Sequence, residues 1–182
     1  MQGTLSRVLC FFRRAVQNHP TAMTYFILKY LHVIGAVILL GTGAGIAFFM
    51  LMAHVTGKAA TIAAVARIVV IADFVFTATA VVAQPITGLL LTWHVGYAVT
   101  DAWILWSIVL YAIVGAFWLP VVWMQMQMRD LAQKAAIEGA DLPRRYHTLF
   151  WWWFAFGFPA FAAVLAIFWL MIARPQALPL FG

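Results

Sequence analysis

The stretch YFILKYLHVIGAVILLGTGAGIAFFM (residues 25–50) holds one charged side chain, Lys29. An apolar run of this length crosses the hydrocarbon core of a bilayer, which requires about 20 helical residues. Three further stretches of the same kind follow, and the predicted spans cover residues 25–53, 68–92, 102–124 and 149–173. Short connections favour neighbouring antiparallel helices. The sequence therefore predicts an all-α polytopic membrane protein, a four-transmembrane-helix bundle with up-and-down topology.

The composition excludes a soluble domain. Of the 182 residues, 66% are hydrophobic and 9% are charged, whereas soluble proteins average about 45–50% and about 25%. The lipid bilayer is therefore the expected partner. The net charge of +6 comes mainly from Lys and Arg between the spans, where they set topology, so we expect no nucleic-acid partner. The single cysteine, Cys10, excludes an intrachain disulfide.

Basic residues are divided unevenly between the two sides of the predicted bundle. The first and third connections hold six of them: Lys58, Arg67, Arg129, Lys134, Arg144 and Arg145. The other side holds four: Arg7, Arg13, Arg14 and Arg174. Because basic residues concentrate on the cytoplasmic side, this count predicts a cell (inner) membrane protein with both termini on the outer, periplasmic side.

The four-helix domain is predicted to cover residues 23–174, followed by a tail at 175–182. Residues 1–22 have two interpretations, an interfacial amphipathic helix or a misassigned start with translation beginning at Met23. Residues 125–146 are predicted to extend span three as a helix before a turn at Gly139 and Pro143.

Span one carries Lys29 and His32 one turn apart on the same face. An ionisable residue inside a span often marks function, so His32 is either a haem ligand or a structural histidine. Lys29 either snorkels to the surface or binds an anionic group such as a porphyrin propionate. The nearby glycine-rich run (residues 41–45) would let another helix or a flat macrocycle approach closely.

Span two carries a polar stripe that we expect to face the bundle interior. Its members recur every three or four residues, at Asp73, Thr77, Ala80, Gln84 and Thr87, and His94 continues it. The stripe is either a structural hydrogen-bond ladder or a proton path. Span three places Ser107, Tyr111, Trp118 and Gln125 along one side. The tryptophans at 151–153 are expected in the interfacial aromatic belt.

A haem held by two histidines needs both imidazoles at nearly the same depth. His54 and His147 both fall near the inner surface, whereas His32 and His94 differ in depth by roughly 12 Å. A two-fold dimer would bring a second His32 to the depth of the first. The candidate cofactor-binding residues are therefore His32, as the first choice for iron, with Lys29, Gln84, His94, His147 and His54. The methionines are interpreted as core residues rather than copper ligands.

Four stretches carry a family resemblance: YFILKYLHVIGAVILLGTGAGIAFFM, VIADFVFTATAVVAQPITGLLL, LPVVWMQMQMRDLA and RRYHTLFWWWFAFGFPAFAAVLAIFWLM. Together they resemble an uncharacterised bacterial family of predicted integral membrane proteins, a domain of unknown function. The Lys-x-x-His and glycine-rich run are also distantly similar to the first helix of HemJ-type protoporphyrinogen oxidases and CopD-type copper-resistance proteins. The HemJ resemblance implies b-type haem on His32, and the CopD resemblance implies copper movement.

Three hypotheses about function follow. The first is a b-type haem protein that transfers electrons between a quinone or small redox partner and an acceptor, with His32 as an axial ligand. The second is HemJ-like protoporphyrinogen oxidation, in which Lys29 would hold the propionates and Asp73 would act as a base. The third is a non-redox small transporter or membrane assembly subunit. The sequence assigns no catalytic residue and leaves open whether the protein is an enzyme.

Overall fold

A computed structural model describes the backbone of residues 2–175 and the side chains from residue 22 onward. Four helices follow one another: α1 (Gln2–Val55), α2 (Ala59–Val95), α3 (Ala102–Glu138) and α4 (Arg144–Ala173). Residues 2–175 contain no strand. All four helices are long and apolar enough to cross a membrane, α1 by its part Ala22–Val55. The predicted all-α, four-span fold class is therefore confirmed.

Two predictions lie outside this description. The apolar face predicted for residues 1–22 concerns side chains before residue 22, and the predicted tail lies beyond Pro175. The helices are longer than the predicted spans, since hydropathy marks only the part within lipid. Helix α3 continues to Glu138 and stops at Gly139, which confirms the predicted extension of span three.

Helices α1, α2 and α3 are each followed by a glycine in left-handed backbone conformation, whereas α4 is followed by Arg174 with a φ angle of 44°. Gly57, Gly96 and Gly139 have φ angles of 65°, 83° and 63°, a conformation that residues with a Cβ atom adopt with difficulty. The turns at 56–58 and 139–143 lie at one end of the bundle, which we call the basic end. The turn at 96–101 and Arg174 lie at the opposite end, which we call the far end.

Apolar packing is concentrated at the basic end. Every helix contributes to one cluster of buried side chains, in which Met50, Ile62, Met128, Tyr146 and Phe150 are completely buried. Met50, Met124 and Met128 all lie in this cluster, which confirms that these methionines are core residues. The same prediction was wrong for Met52, which lies two residues from Met50 on another side of α1 and is exposed. Because lipid tails are as apolar as leucine, such a cluster holds helices together by close van der Waals packing.

The two parts of helix α2 pack against different neighbouring helices. Its first part, Ala59–Ala72, packs chiefly against α3, and its last part, Ala78–Val95, packs chiefly against α1. Between them lies a π-helical segment, Asp73–Thr77. Helices α3 and α4 pack against each other extensively. The polar stripe of α2 therefore faces α3 in one half of the bundle and α1 in the other.

Candidate functional site

A first polar cluster lies between α1 and α2 in the half of the bundle towards the far end. The Nδ1 atom of half-buried His32 is 2.9 Å from the Thr87 hydroxyl oxygen. The buried Gln84 amide donates a hydrogen bond of 2.9 Å to the backbone carbonyl of His32. The structure thus brings His32 and Gln84 together, and it adds Thr87 as a side-chain partner of the imidazole.

The Thr87 hydroxyl lies within hydrogen-bond distance both of His32 and of its own helix. It lies 2.9 Å from Nδ1 of His32, 2.8 Å from the Ala83 backbone carbonyl and 3.2 Å from the Gln84 backbone carbonyl. When the hydroxyl hydrogen is donated to a carbonyl of α2, its oxygen accepts from His32, so that Nδ1 carries the proton and Nε2 of the neutral ring carries the lone pair. This is the tautomer that can coordinate a metal through Nε2.

Two glycines allow α1 and α2 to approach closely around His32. A Cβ atom at Gly35 would lie 3.1 Å from the Gln84 amide nitrogen, and one at Gly88 would lie 3.1 Å from Cε1 of His32. By contrast, a Cβ atom at Gly41 or Gly43 would have nothing within 4 Å. The helix approach therefore depends on Gly35 and Gly88, whereas the first two glycines of the 41–45 run pack against no other part of the described chain.

The Tyr111 hydroxyl satisfies a backbone group that Pro85 leaves without a donor. Proline has no N–H, so the carbonyl four residues earlier, that of Val81, loses its helical hydrogen bond. The Tyr111 hydroxyl of α3 donates to that carbonyl. An unsatisfied backbone carbonyl is costly in lipid, and this contact supplies the missing donor across the α2–α3 interface.

A second polar cluster lies between α2, α3 and α4, centred on Asp73. Asp73 is 3% exposed and begins the π-helical segment of α2. Trp118 of α3 donates its indole N–H to one carboxyl oxygen of Asp73, at 3.3 Å. Gln125 of α3 lies 3.0 Å from the other oxygen and 3.1 Å from the indole nitrogen of Trp153 on α4.

His54 and His147 meet at the basic end. Their ring centroids are 5.7 Å apart and the rings stand edge to face. The His54 ring also stacks on Phe150 at 3.6 Å, and its Nδ1 lies 3.3 Å from the Tyr146 hydroxyl. The structure therefore brings these two candidates together, within a stack of aromatic rings.

Lys29 and His94 both lie beside the ring of Tyr25, near the far end. The Lys29 ammonium lies 5.5 Å from the centre of the Tyr25 ring, and the His94 ring stacks on the same tyrosine at 6.5 Å. Both candidates are exposed. They form a group separate from the His32 cluster and from the pair His54 and His147.

The prediction that the α2 stripe faces inward is confirmed for Asp73, Thr77, Ala80 and Gln84, which are all buried, and Thr87 is half-buried. The prediction was wrong for His94, which is exposed near the far end of α2. The belt prediction was wrong for Trp153, which is 4% exposed because its indole N–H is hydrogen-bonded to Gln125 inside the bundle. Trp151 and Trp152 are exposed. The partners of Asp73 were not predicted from the sequence, where their only signal was that Trp118 and Gln125 lie on the same side of span three.

The fold and these clusters define a class: a polytopic α-helical membrane protein with polar and ionisable groups held between its spans. Within that class, residues 26–175 match the family described as Predicted integral membrane protein (DUF2269), and the chain belongs to this family. The match covers α2, α3, α4 and the part of α1 from residue 26 onward. No curated protein and no solved structure matches the chain.

Proposed function

We propose that this protein binds a b-type haem within the bilayer through His32 and transfers electrons between a quinone or small redox partner and an acceptor. The observation that carries the proposal is the 2.9 Å contact between Nδ1 of His32 and the Thr87 hydroxyl inside a membrane span. A His32 ring that donates from Nδ1 to Thr87 has the lone pair of Nε2 available for iron. Ligating histidines are commonly oriented by such a hydrogen bond to their other nitrogen.

The available donor atoms favour a haem over an ion bound by side chains alone. Among residues 22–175 no group of three or more His, Cys, Asp or Glu side chains could hold a metal ion. A haem needs only one or two ligands from protein, and it supplies one-electron redox chemistry when bound. None of the other candidate histidines is assigned as the second protein ligand of the haem iron, because His94 and the pair His54 and His147 lie in other groups of side chains. We propose that a second copy of the chain supplies this ligand.

The absorption spectrum of the purified full chain, oxidised in air and then reduced with dithionite, tests this proposal. We expect a Soret band and visible bands that sharpen on reduction, with both lost in His32→Ala and restored by added imidazole. Stoichiometric haem in His32→Ala, or a colourless wild-type protein expressed with ample haem, would contradict it.

A matched pair of threonine variants tests how His32 is oriented. Thr87→Val removes the acceptor of the His32 N–H, whereas Thr79→Val removes an exposed hydroxyl that bonds only its own helix backbone. We expect Thr87→Val to weaken haem retention and shift the midpoint potential, and Thr79→Val to leave both unchanged. Equal behaviour of the two variants would show that Thr87 does not orient a ligand.

The same contacts favour a second candidate, a non-redox transporter or assembly subunit in which His32 is structural. Its imidazole and its carbonyl both bond α2, which fastens the two helices without any cofactor. A colourless protein that loses stability on His32→Ala would support this candidate. HemJ-like oxidation receives less support, because Asp73 bonds Trp118 of α3 in the second polar cluster, apart from His32.

For the topology we propose the cell membrane, with the basic end in the cytoplasm and both termini outside, from the distribution of Lys and Arg. Cys10 is the only cysteine, so a Cys10→Ser background allows single new cysteines to be labelled. Ala98→Cys at the far end should react with an impermeant maleimide in intact spheroplasts, and Ala140→Cys at the basic end should not. The reverse pattern would invert the topology.

A further inference from the structure

Asp73 is a buried ionisable group to which the haem proposal gives no role. It is 3% exposed and lies inside a membrane span, at the start of the π-helical segment Asp73–Thr77. Carboxyl groups inside spans are rare, and where they occur they often mark proton or ion pathways. Segments of π-helix also occur frequently at functional sites.

The partners of Asp73 are neutral hydrogen-bond donors. The indole N–H of Trp153 can only donate, so the carbonyl oxygen of Gln125 must face it. The Gln125 amide nitrogen then points at Asp73, 3.0 Å from Oδ2, while Trp118 donates to Oδ1 at 3.3 Å. Both carboxyl oxygens therefore accept a hydrogen bond from a group that carries no charge.

Among residues 22–175 no basic side chain pairs with Asp73. The ion pairs found among residues 22–175 join Arg129 to Asp130 and Lys134 to Glu138, both near the basic end. Within the same residues α1 supplies no hydrogen bond or ion pair to Asp73, and its contacts on α3 and α4 are the uncharged side chains above. With no basic partner among residues 22–175, a proton is the simplest neutralising group for this carboxylate.

Two opposing effects act on the protonation of this carboxyl. Removal from water favours the neutral acid, whereas two donated hydrogen bonds favour the carboxylate. The buried Thr77 hydroxyl lies one turn further along the same face of α2. A hydroxyl can donate to the carboxylate and can accept the hydrogen of the protonated acid, so Thr77 suits both states of Asp73.

We propose that Asp73 is a reversible proton-binding site within the membrane, held by Trp118 and Gln125, with Thr77 as its neighbouring hydroxyl. A proton from the aqueous phase forms an O–H bond with one carboxyl oxygen, and no electron is transferred. The oxygen that takes the proton becomes a donor and gives up one of the hydrogen bonds it accepted. Protonation is thereby coupled to the contacts of α2 with α3 and, through Gln125, with α4.

Infrared difference spectroscopy on the full chain in lipid nanodiscs tests the site. We expect wild type to show the C=O stretch of a protonated carboxyl, absent in Asp73→Asn, that disappears reversibly as the pH is raised. The matched control is Asp101→Asn, which alters a carboxylate in the far-end turn and should leave the band unchanged. A band that persists at every pH, or no such band at any pH, would overturn the proposal.

A second variant keeps the test decisive if Asp73→Asn does not fold. Trp118→Phe removes one hydrogen bond to the carboxylate, so the band should persist to higher pH, with a proton affinity raised by about tenfold. If the pH at which half of the band is lost is the same in Trp118→Phe as in wild type, the proposed role of the hydrogen-bond donors to Asp73 is contradicted. A band that responds to sodium at constant pH would replace the proton by sodium as the ligand. None of these outcomes depends on whether the protein binds haem.

Discussion

The two halves of the bundle are held together by different kinds of contact. Towards the basic end, apolar side chains from all four helices interlock, and Tyr146 and Phe150 are completely buried. Towards the far end, individual hydrogen bonds join pairs of helices, such as that between His32 and Thr87. The first half gives the bundle stability, and the second positions polar groups that could bind a ligand. A substitution should therefore cost more stability in the first half.

Phe150→Ala should have the largest effect. It empties a fully buried site on which His54 stacks, and we expect a loss of about 3 kcal/mol in the free energy of unfolding. Unfolding by sodium dodecyl sulfate in mixed micelles, followed by circular dichroism, measures it. The control on the same helix is Phe158→Ala, where the ring is 63% exposed and the loss should be at most about 0.5 kcal/mol. Equal losses would remove the distinction between the two halves.

Gly88→Leu tests the close approach of α1 and α2 and should rank second. The new side chain would collide with His32, at a cost of about 2 kcal/mol. Gly43→Leu is the control, because a Cβ atom at Gly43 meets nothing within 4 Å. Both variants gain helix propensity of about 1 kcal/mol, so the difference between their unfolding free energies isolates the collision. A difference near zero would mean that the helices do not approach closely at Gly88.

Tyr111→Phe should cost about 1 kcal/mol, because it leaves the Val81 carbonyl without its donor. The same substitution in a Pro85→Ala background should cost much less, since an alanine at this position would restore the helical N–H to that carbonyl. The coupling energy from this double-mutant cycle, measured by unfolding in mixed micelles, checks the assignment. Additive effects would show that Tyr111 does not compensate for the proline.

Arg174→Ala should have the smallest effect. The guanidinium donates a 3.0 Å hydrogen bond to the Tyr97 hydroxyl and lies over the rings of Tyr97 and Trp103, but Arg174 is exposed. We expect a loss of about 0.5 kcal/mol and greater deuterium uptake in the far-end turn. Arg174→Lys keeps the charge without the planar group and should retain part of the stability. A loss as large as that of Phe150→Ala would overturn the ranking.

The sequence predicts the spans and the inward stripe of α2 well, because length, hydropathy and periodicity depend on neighbouring residues. It does not predict the partners across helices. How His32 contacts Gln84 and Thr87 depends on how α1 is rotated against α2. Trp118 lies on a different helix from Asp73 and reaches it only when α2 and α3 pack together. The π-helical segment also changes the helical repeat at Asp73, which no periodicity in the local sequence indicates.

The location of the Asp73 partners has a consequence for biogenesis. A chain emerging from the ribosome delivers α1 and α2 to the membrane before α3 and α4 exist. At that stage Asp73 lacks Trp118 and Gln125, and a carboxylate at the centre of a span opposes insertion by about 3 kcal/mol. The apolar remainder of α2 must carry the carboxyl into lipid first. A nascent chain stalled before α3 would therefore expose this stripe to the insertion machinery and to membrane proteases.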